Sequence, residues 1–279
     1  MQAEQVTGPI AFHGEGPVWS ARCGGLRWVD MLRGDVLQLA GDGSVVRMHV
    51  DDVAAALRPR RGGGAVIGVR RGFALEDPDG SVAHLPELWS GDEIRMNDGG
   101  CDPAGRFLCG TMAYDQRPGA GALYRLDADQ SVTVVLEGVT ISNGLEWSPD
   151  GALAYYVDTP TREISVFDSD SDGDLHDRRP FASVDAMPDG LTVDADGGVW
   201  VALFDGRAVQ GFGPDGTPGA RVEVPEGRVT ACTFGGEDLD RLFITTSREG
   251  LAPAEEPTAG SLYAADVGAR GLPVREFAG

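Results

Sequence analysis

The chain has 279 residues, 42% hydrophobic and 24% charged, with 41 glycines and 17 prolines, the balance of an ordinary turn-rich globular protein. Its net charge of −21 argues against binding to a nucleic-acid backbone, which needs clustered cations. All 23 cationic side chains are arginine, and the absence of lysine excludes Schiff-base chemistry and a phosphate-loop lysine.

Short apolar runs separated by Gly, Asp and Pro turns follow one another from the start. Strands are expected at 26–31, 36–40 and 45–50, after the segment Gly14-Glu15-Gly16-Pro17-Val18-Trp19. Val53 to Leu57 is the one stretch with a helical look. The arginine cluster 58–61 reads as solvated surface, and strands follow at 65–69, 72–76 and 81–85. Arg95-Met96-Asn97-Asp98-Gly99 opens the next group, with strands at 106–112, 122–126 and 132–136. The group starting at Asn143 contains Asp168 to Asp174, which resembles a calcium-binding loop. It lacks the glutamate and flanking helices of one and reads as a solvated hairpin turn. Strands at 191–193, 199–204, 208–212 and 221–224 come next, then 229–234, 242–246 and 262–265, the last three interrupted by a Pro-rich loop at 248–260.

These groups are copies of one unit. Asn97, Asn143 and Asp189 stand 46 residues apart, and so do the turn glycines Gly105, Gly151 and Gly197. Trp19-Ser20 aligns with Trp147-Ser148 and brings Glu15 into the same phase, and a weaker copy brings in Thr230. A period in the forties built from short strands is that of a β-propeller blade of four antiparallel strands. The length divided by this period gives about six, so the expected fold is all-β, a six-bladed propeller over 1–279 as one domain. Either 274–277 or 5–10 is expected to complete the last blade, so that the termini close the ring.

Residues at one phase of successive blades converge on the central channel. Glu15, Asn97, Asn143 and Asp189 therefore become neighbours, and all four offer oxygen. Oxygen donors of this kind suit one hard divalent cation, Ca²⁺, Mg²⁺ or Mn²⁺, with Zn²⁺ less typical without His or Cys. An isolated Asn-Gly or Asp-Gly is usually only a tight turn, but a shared phase that includes a glutamate favours a site. The four cysteines show no Cys-x-x-Cys spacing and read as reduced core residues. Of the four histidines only His13 lies near the proposed site, as a packing or supporting residue. No basic start with an apolar stretch and no membrane-length run is present, so a cytoplasmic location without membrane association is expected.

The segments Gly14 to Trp19, Arg95 to Gly99 with Asp102-Pro103-Ala104-Gly105-Arg106 and Gly110-Thr111-Met112, Ser142 to Ser148, Pro188 to Leu191 and Cys232 to Gly236 resemble the senescence-marker-protein (regucalcin), gluconolactonase and luciferin-regenerating-enzyme family. The resemblance covers nearly the whole chain. It implies a propeller with one axial divalent cation (Ca, Zn, Mg, Mn or Fe) and hydrolysis of sugar lactones. On these motifs it implies Glu15, Asn143 and Asp189 as metal ligands and Arg95, Asn97 and Asp115 as substrate contacts, Asp115 replacing a longer Glu of animal relatives. The reaction expected is attack of an activated water on a polarised lactone carbonyl, with Asp189 as general base and Asp98 as the other candidate. Two further functions fit the same features: a phosphotriesterase-like hydrolase, and a non-catalytic calcium-binding propeller. Arg95 and Asn97 weigh against the last, because a structural ion does not need them.

Overall fold

The computed structural model describes residues 1–252 and 254–279, so Pro253 of the predicted Pro-rich loop lies outside the described residues. The strands form six four-stranded antiparallel sheets, the blades of a propeller. Blade one is Gly14–Ser20, Gly25–Asp30, Asp35–Leu39 and Val45–His49. Blade two is Ala54–Pro59, Ala65–Val69, Gly72–Glu76 and Val82–His84, and blade three is Ile94–Cys101, Phe107–Ala113, Gly121–Leu126 and Val132–Val139. Blade four is Ser142–Trp147, Leu153–Asp158, Glu163–Ser169 and Leu175–Ser183. Blade five is Met187–Val193, Val199–Phe204, Ala208–Phe212 and Pro218–Glu223. Blade six takes Val229–Gly235, Arg241–Thr246 and Tyr263–Asp266 from the end of the chain and Glu4–Gln5 from its beginning.

Burial falls outward along each blade. Innermost strands are buried on both faces, because each packs on the innermost strand of the next blade and Val229–Gly235 packs back on Gly14–Ser20. Outermost strands such as Val45–His49 and Pro218–Glu223 are largely exposed. The close approach at the axis restricts side-chain size: a Cβ on Gly144 would lie 2.7 Å from the Asp189 carbonyl oxygen, and one on Gly190 2.5 Å from the Ala231 Cβ. The same crowding explains why Val53 to Leu57 is not a helix. Ala54–Pro59 is the innermost strand of blade two, and its alanines fit the space left between blades one and three.

The acidic excess has a structural use. At the outer hairpins of blades one, two, three and five, Asp42, Asp79, Asp129 and Asp215 each accept the backbone N–H and the hydroxyl of the residue two positions on. In blade four Asp170 accepts the N–H groups of Asp172 and Asp174 and pairs with His176, so the acidic loop is a hairpin turn of the same kind. All four cysteines are free, and Cys101, Cys109 and Cys232 are buried.

Of the two candidates for completing the ring, the N-terminal strand does so. The C-terminal segment crosses the far end of the axial channel: Gly271 bridges to Asp194, Arg275 donates to Glu146 and to the Ser148 carbonyl, and Phe277 is fully buried. This seal also corrects the reading of the arginine cluster as plain surface. Arg60 donates to the Gly279 carbonyl, Arg61 to that of Ala104, and Arg58 lines a cavity of about 40 Å³ beneath the strap with Glu146 and Arg275.

Candidate active site

Each innermost strand carries a register shift near its start. The residues skipped include Asn97 and Asp98, Asn143 and Gly144, Asp189 and Gly190, and Thr230, while Glu15 immediately precedes the shift in blade one. A bulge bends the strand and re-aims the side chain it carries, and here Glu15, Asn97, Asn143 and Asp189 come to line one cavity, while Thr230 donates to the Gly14 carbonyl. Blade two has Ala55 at the equivalent point, so the ring of polar side chains has a gap there.

The result is a cavity of about 290 Å³ at one end of the channel, whose wall includes Glu15, Arg95, Asn97, Asn143 and Asp189, all buried. The amides also lace the blades together. Asn97 Nδ2 donates to the Ser142 carbonyl and to Asn143 Oδ1, both at 2.9 Å, and Asn143 Nδ2 donates to Thr159 Oγ1 at 2.7 Å. Thr159 in turn donates to the Pro188 carbonyl. Asn97 Oδ1 accepts from Arg95 at 2.6 Å. The N–H groups of Asn97 are thus spent on the fold, and its oxygen is the part free to take a further donor.

The charges are not balanced in this way. Burial raises the proton affinity of Glu15, the Asp98 charge raises it further, and Glu15 ends at about 8. Asp189 is raised well above the ordinary carboxylate range, by burial and then by the charges of Glu15 and Asp98. His13 does not relieve this crowding. Its Nδ1 lies 2.7 Å from Ser247 Oγ and its Nε2 3.9 Å from Glu15, while burial, with Arg95 and Arg228 nearby, pushes it down to about 3, so it is neutral. Arg95 is buried, its Nε has no hydrogen-bond partner, and among the described residues it forms no ion pair. Its guanidinium lies 5.8 Å from the centre of the Tyr114 ring. Glu15 and Asp189, crowded together with Arg95 as the positive charge beside them, form with the Asn143 oxygen a donor set that fits a hard divalent ion.

Two predicted site residues fall elsewhere. Asp98 occupies the second bulge position and is absent from the cavity wall. Burial raises its pKa and the Arg58 charge offsets this, while the charge of Asp98 itself still acts on Glu15 and Asp189. Asp115 is exposed and is held by Arg117, accepting from its N–H at 3.2 Å and its guanidinium at 3.1 Å, while its neighbours Tyr114 and Gln116 take the wall. Leu32, Tyr114, Gln116, Thr159 and Glu249 also line the cavity and stand outside the phase that picked out the other residues. They follow a rule of their own, because each lies just past the second strand of its blade, on the connection that rises to this end. Extending the phase comparison to that point would have found them.

The fold and the wall define the class: a six-bladed propeller with an axial pocket of carboxylate and amide oxygens beside one buried, unpaired arginine. The sequence model of the family described as the SMP-30/Gluconolactonase/LRE-like region matches residues 13–248, and the chain belongs to that family. It is 38% identical over 276 residues to the 6-deoxy-6-sulfogluconolactonase of Pseudomonas putida, covering 95% of each chain. The structure of a luciferin-regenerating enzyme superposes with a TM-score of 0.91 at 27% identity over 99% of both chains. A structure described as a calcium-binding protein, regucalcin, from Agrobacterium tumefaciens superposes with a TM-score of 0.92 at 26% identity, over 99% of this chain and 97% of that one.

Proposed function

We propose that the protein is a metal-dependent sugar lactonase that opens an aldonolactone to the aldonic acid. The observation that carries this reading is the juxtaposition, in one open cavity, of Glu15, Asn143 and Asp189 with the unpaired Arg95. A purely structural ion site would need the oxygens and would leave no buried cation facing the pocket. Relatives named as lactonases supply the reaction class.

Glu15, Asn143 and Asp189 would hold the cation, and calcium is the ion that one structural relative is described as binding. When bound, such an ion supplies positive charge that polarises a lactone carbonyl. Asp189 takes the proton of the attacking water, since it is the carboxylate that faces the pocket from blade five. Asp98 is the other candidate base: its charge acts on both Glu15 and Asp189, but it lies outside the cavity wall that Asp189 lines. The free N–H groups of Arg95 and the Asn97 oxygen hold ring hydroxyls and fix the lactone against Asp189. Met112, Ile141, Met187 and Phe204 exclude bulk water from the wall.

The test is acid release from five- and six-carbon aldonolactones by chelator-stripped protein, with and without Ca²⁺, Mg²⁺, Mn²⁺, Zn²⁺ or Fe²⁺. Turnover that returns only with a cation is the expected result. Confirmed cation binding with no lactone turned over would overturn the reading and move attention to organophosphates or to binding without catalysis.

A further inference from the structure

Gln116 stands out on the cavity wall. Its φ is +55°, in the left-handed region where a residue with a Cβ is strained and glycine is not. Of the seven non-glycine residues with positive φ among the described residues, it is the one that lines the cavity. Its amide has no hydrogen-bond partner among the described residues, and its side chain is exposed at the rim.

The surroundings hold the strained residue in place. The Gln116 N–H closes a turn onto the Ala113 carbonyl at 2.9 Å, and the Tyr114 N–H donates to the Glu93 carbonyl at 3.0 Å. Asp115 ties the other side of the turn to Arg117 through both its backbone and its guanidinium. Asp115, a substrate contact by resemblance, is here part of the clamp that presents its neighbour. The Tyr114 ring, packed against Arg95, sets the flank.

We infer that Gln116 is a specificity-determining residue, whose neutral amide reads a hydroxyl on the part of the lactone ring remote from the carbonyl. The geometry gives the division of labour. Glu15, Asn143 and Asp189 are buried in the floor, where the carbonyl reacts, and Gln116 stands at the mouth, where the rest of the ring emerges. An amide both donates and accepts, so it fits a hydroxyl, and having no charge it does not repel an anionic substituent as a carboxylate there would.

This inference rests on the lactonase reading, and its test separates the two. The kcat/KM ratio is measured for D-glucono-1,5-lactone against its epimers and a deoxy analogue, in the wild type, Gln116→Ala and Gln116→Gly. Glycine keeps the left-handed turn, so that variant folds at least as well as the wild type. The wild type should prefer one hydroxyl pattern, and both variants should lose roughly tenfold of that preference, the scale of one hydrogen bond, through KM and not kcat. Cation affinity stays as it was. Gln116→Glu should selectively penalise a lactone carrying a 6-phosphate or 6-sulfonate. Ratios within twofold of wild type in all three variants would overturn the inference and leave the lactonase reading standing. A wild type that turns over no lactone removes both.

Discussion

The two ends of the axial channel are built from similar residues used in opposite ways. At the sealed end Arg275 pairs with Glu146 at 3.0 Å, the C-terminal strap lies across the opening, and a space of about 40 Å³ remains. At the open end Glu15 and Asp189 crowd each other, Arg95 has no partner carboxylate among the described residues, and about 290 Å³ is left for a guest. Paired charge beneath a cover serves the fold. Unpaired buried charge costs stability, and it is retained where a ligand completes it.

The widest break in this comparison comes from removing the cation. Chelation should abolish lactone turnover, and refilling should restore it, in a pH-indicator assay. Next in size is Asp189→Asn, which should lower kcat by about 10²- to 10⁴-fold, the usual contribution of a general base. The same variant removes one of the crowded charges, so its chelated form should melt no lower than the chelated wild type in calorimetry.

The sealed end should answer in stability instead. Phe277→Ala should cost about 3–5 kcal/mol in denaturant unfolding, the usual range for a large aromatic lost from a core, with kcat per folded molecule unchanged. Arg275→Ala should cost about 1 kcal/mol in the same experiment, because both partners of that contact are partly exposed to water.

The smallest effect sharpens the contrast through pH. In the folded, metal-free protein Glu15 and Asp189 hold protons more tightly than in the unfolded chain. Stability from this source is fully present below the ordinary carboxylate pKa and is lost as pH rises toward about 8, where Glu15 titrates. The melting temperature of chelated protein should therefore fall between about pH 5 and pH 8, and a saturating divalent cation should flatten the slope. A chelated protein that grows more stable over that interval would contradict the crowding of charge described here.

The spacing of Asn97, Asn143 and Asp189, with Glu15 brought into phase by the Trp-Ser match, made the repeat, the blade count and four residues of the cavity wall legible in the sequence. A propeller places equal phases at equal radius, so linear periodicity is already spatial information. Other features depended on contacts between segments far apart in the chain. Ala54–Pro59 has no local reason to be a strand until two neighbouring blades confine it. Which of Asn97 and Asp98, and which of Asp115 and Gln116, lines the cavity is decided by one bulge and one clamped turn. Which terminus closes blade six and which seals the channel was likewise open in the sequence. Periodicity alone determined where the chain returns to the axis, and only tertiary packing chose the direction in which each returning residue points.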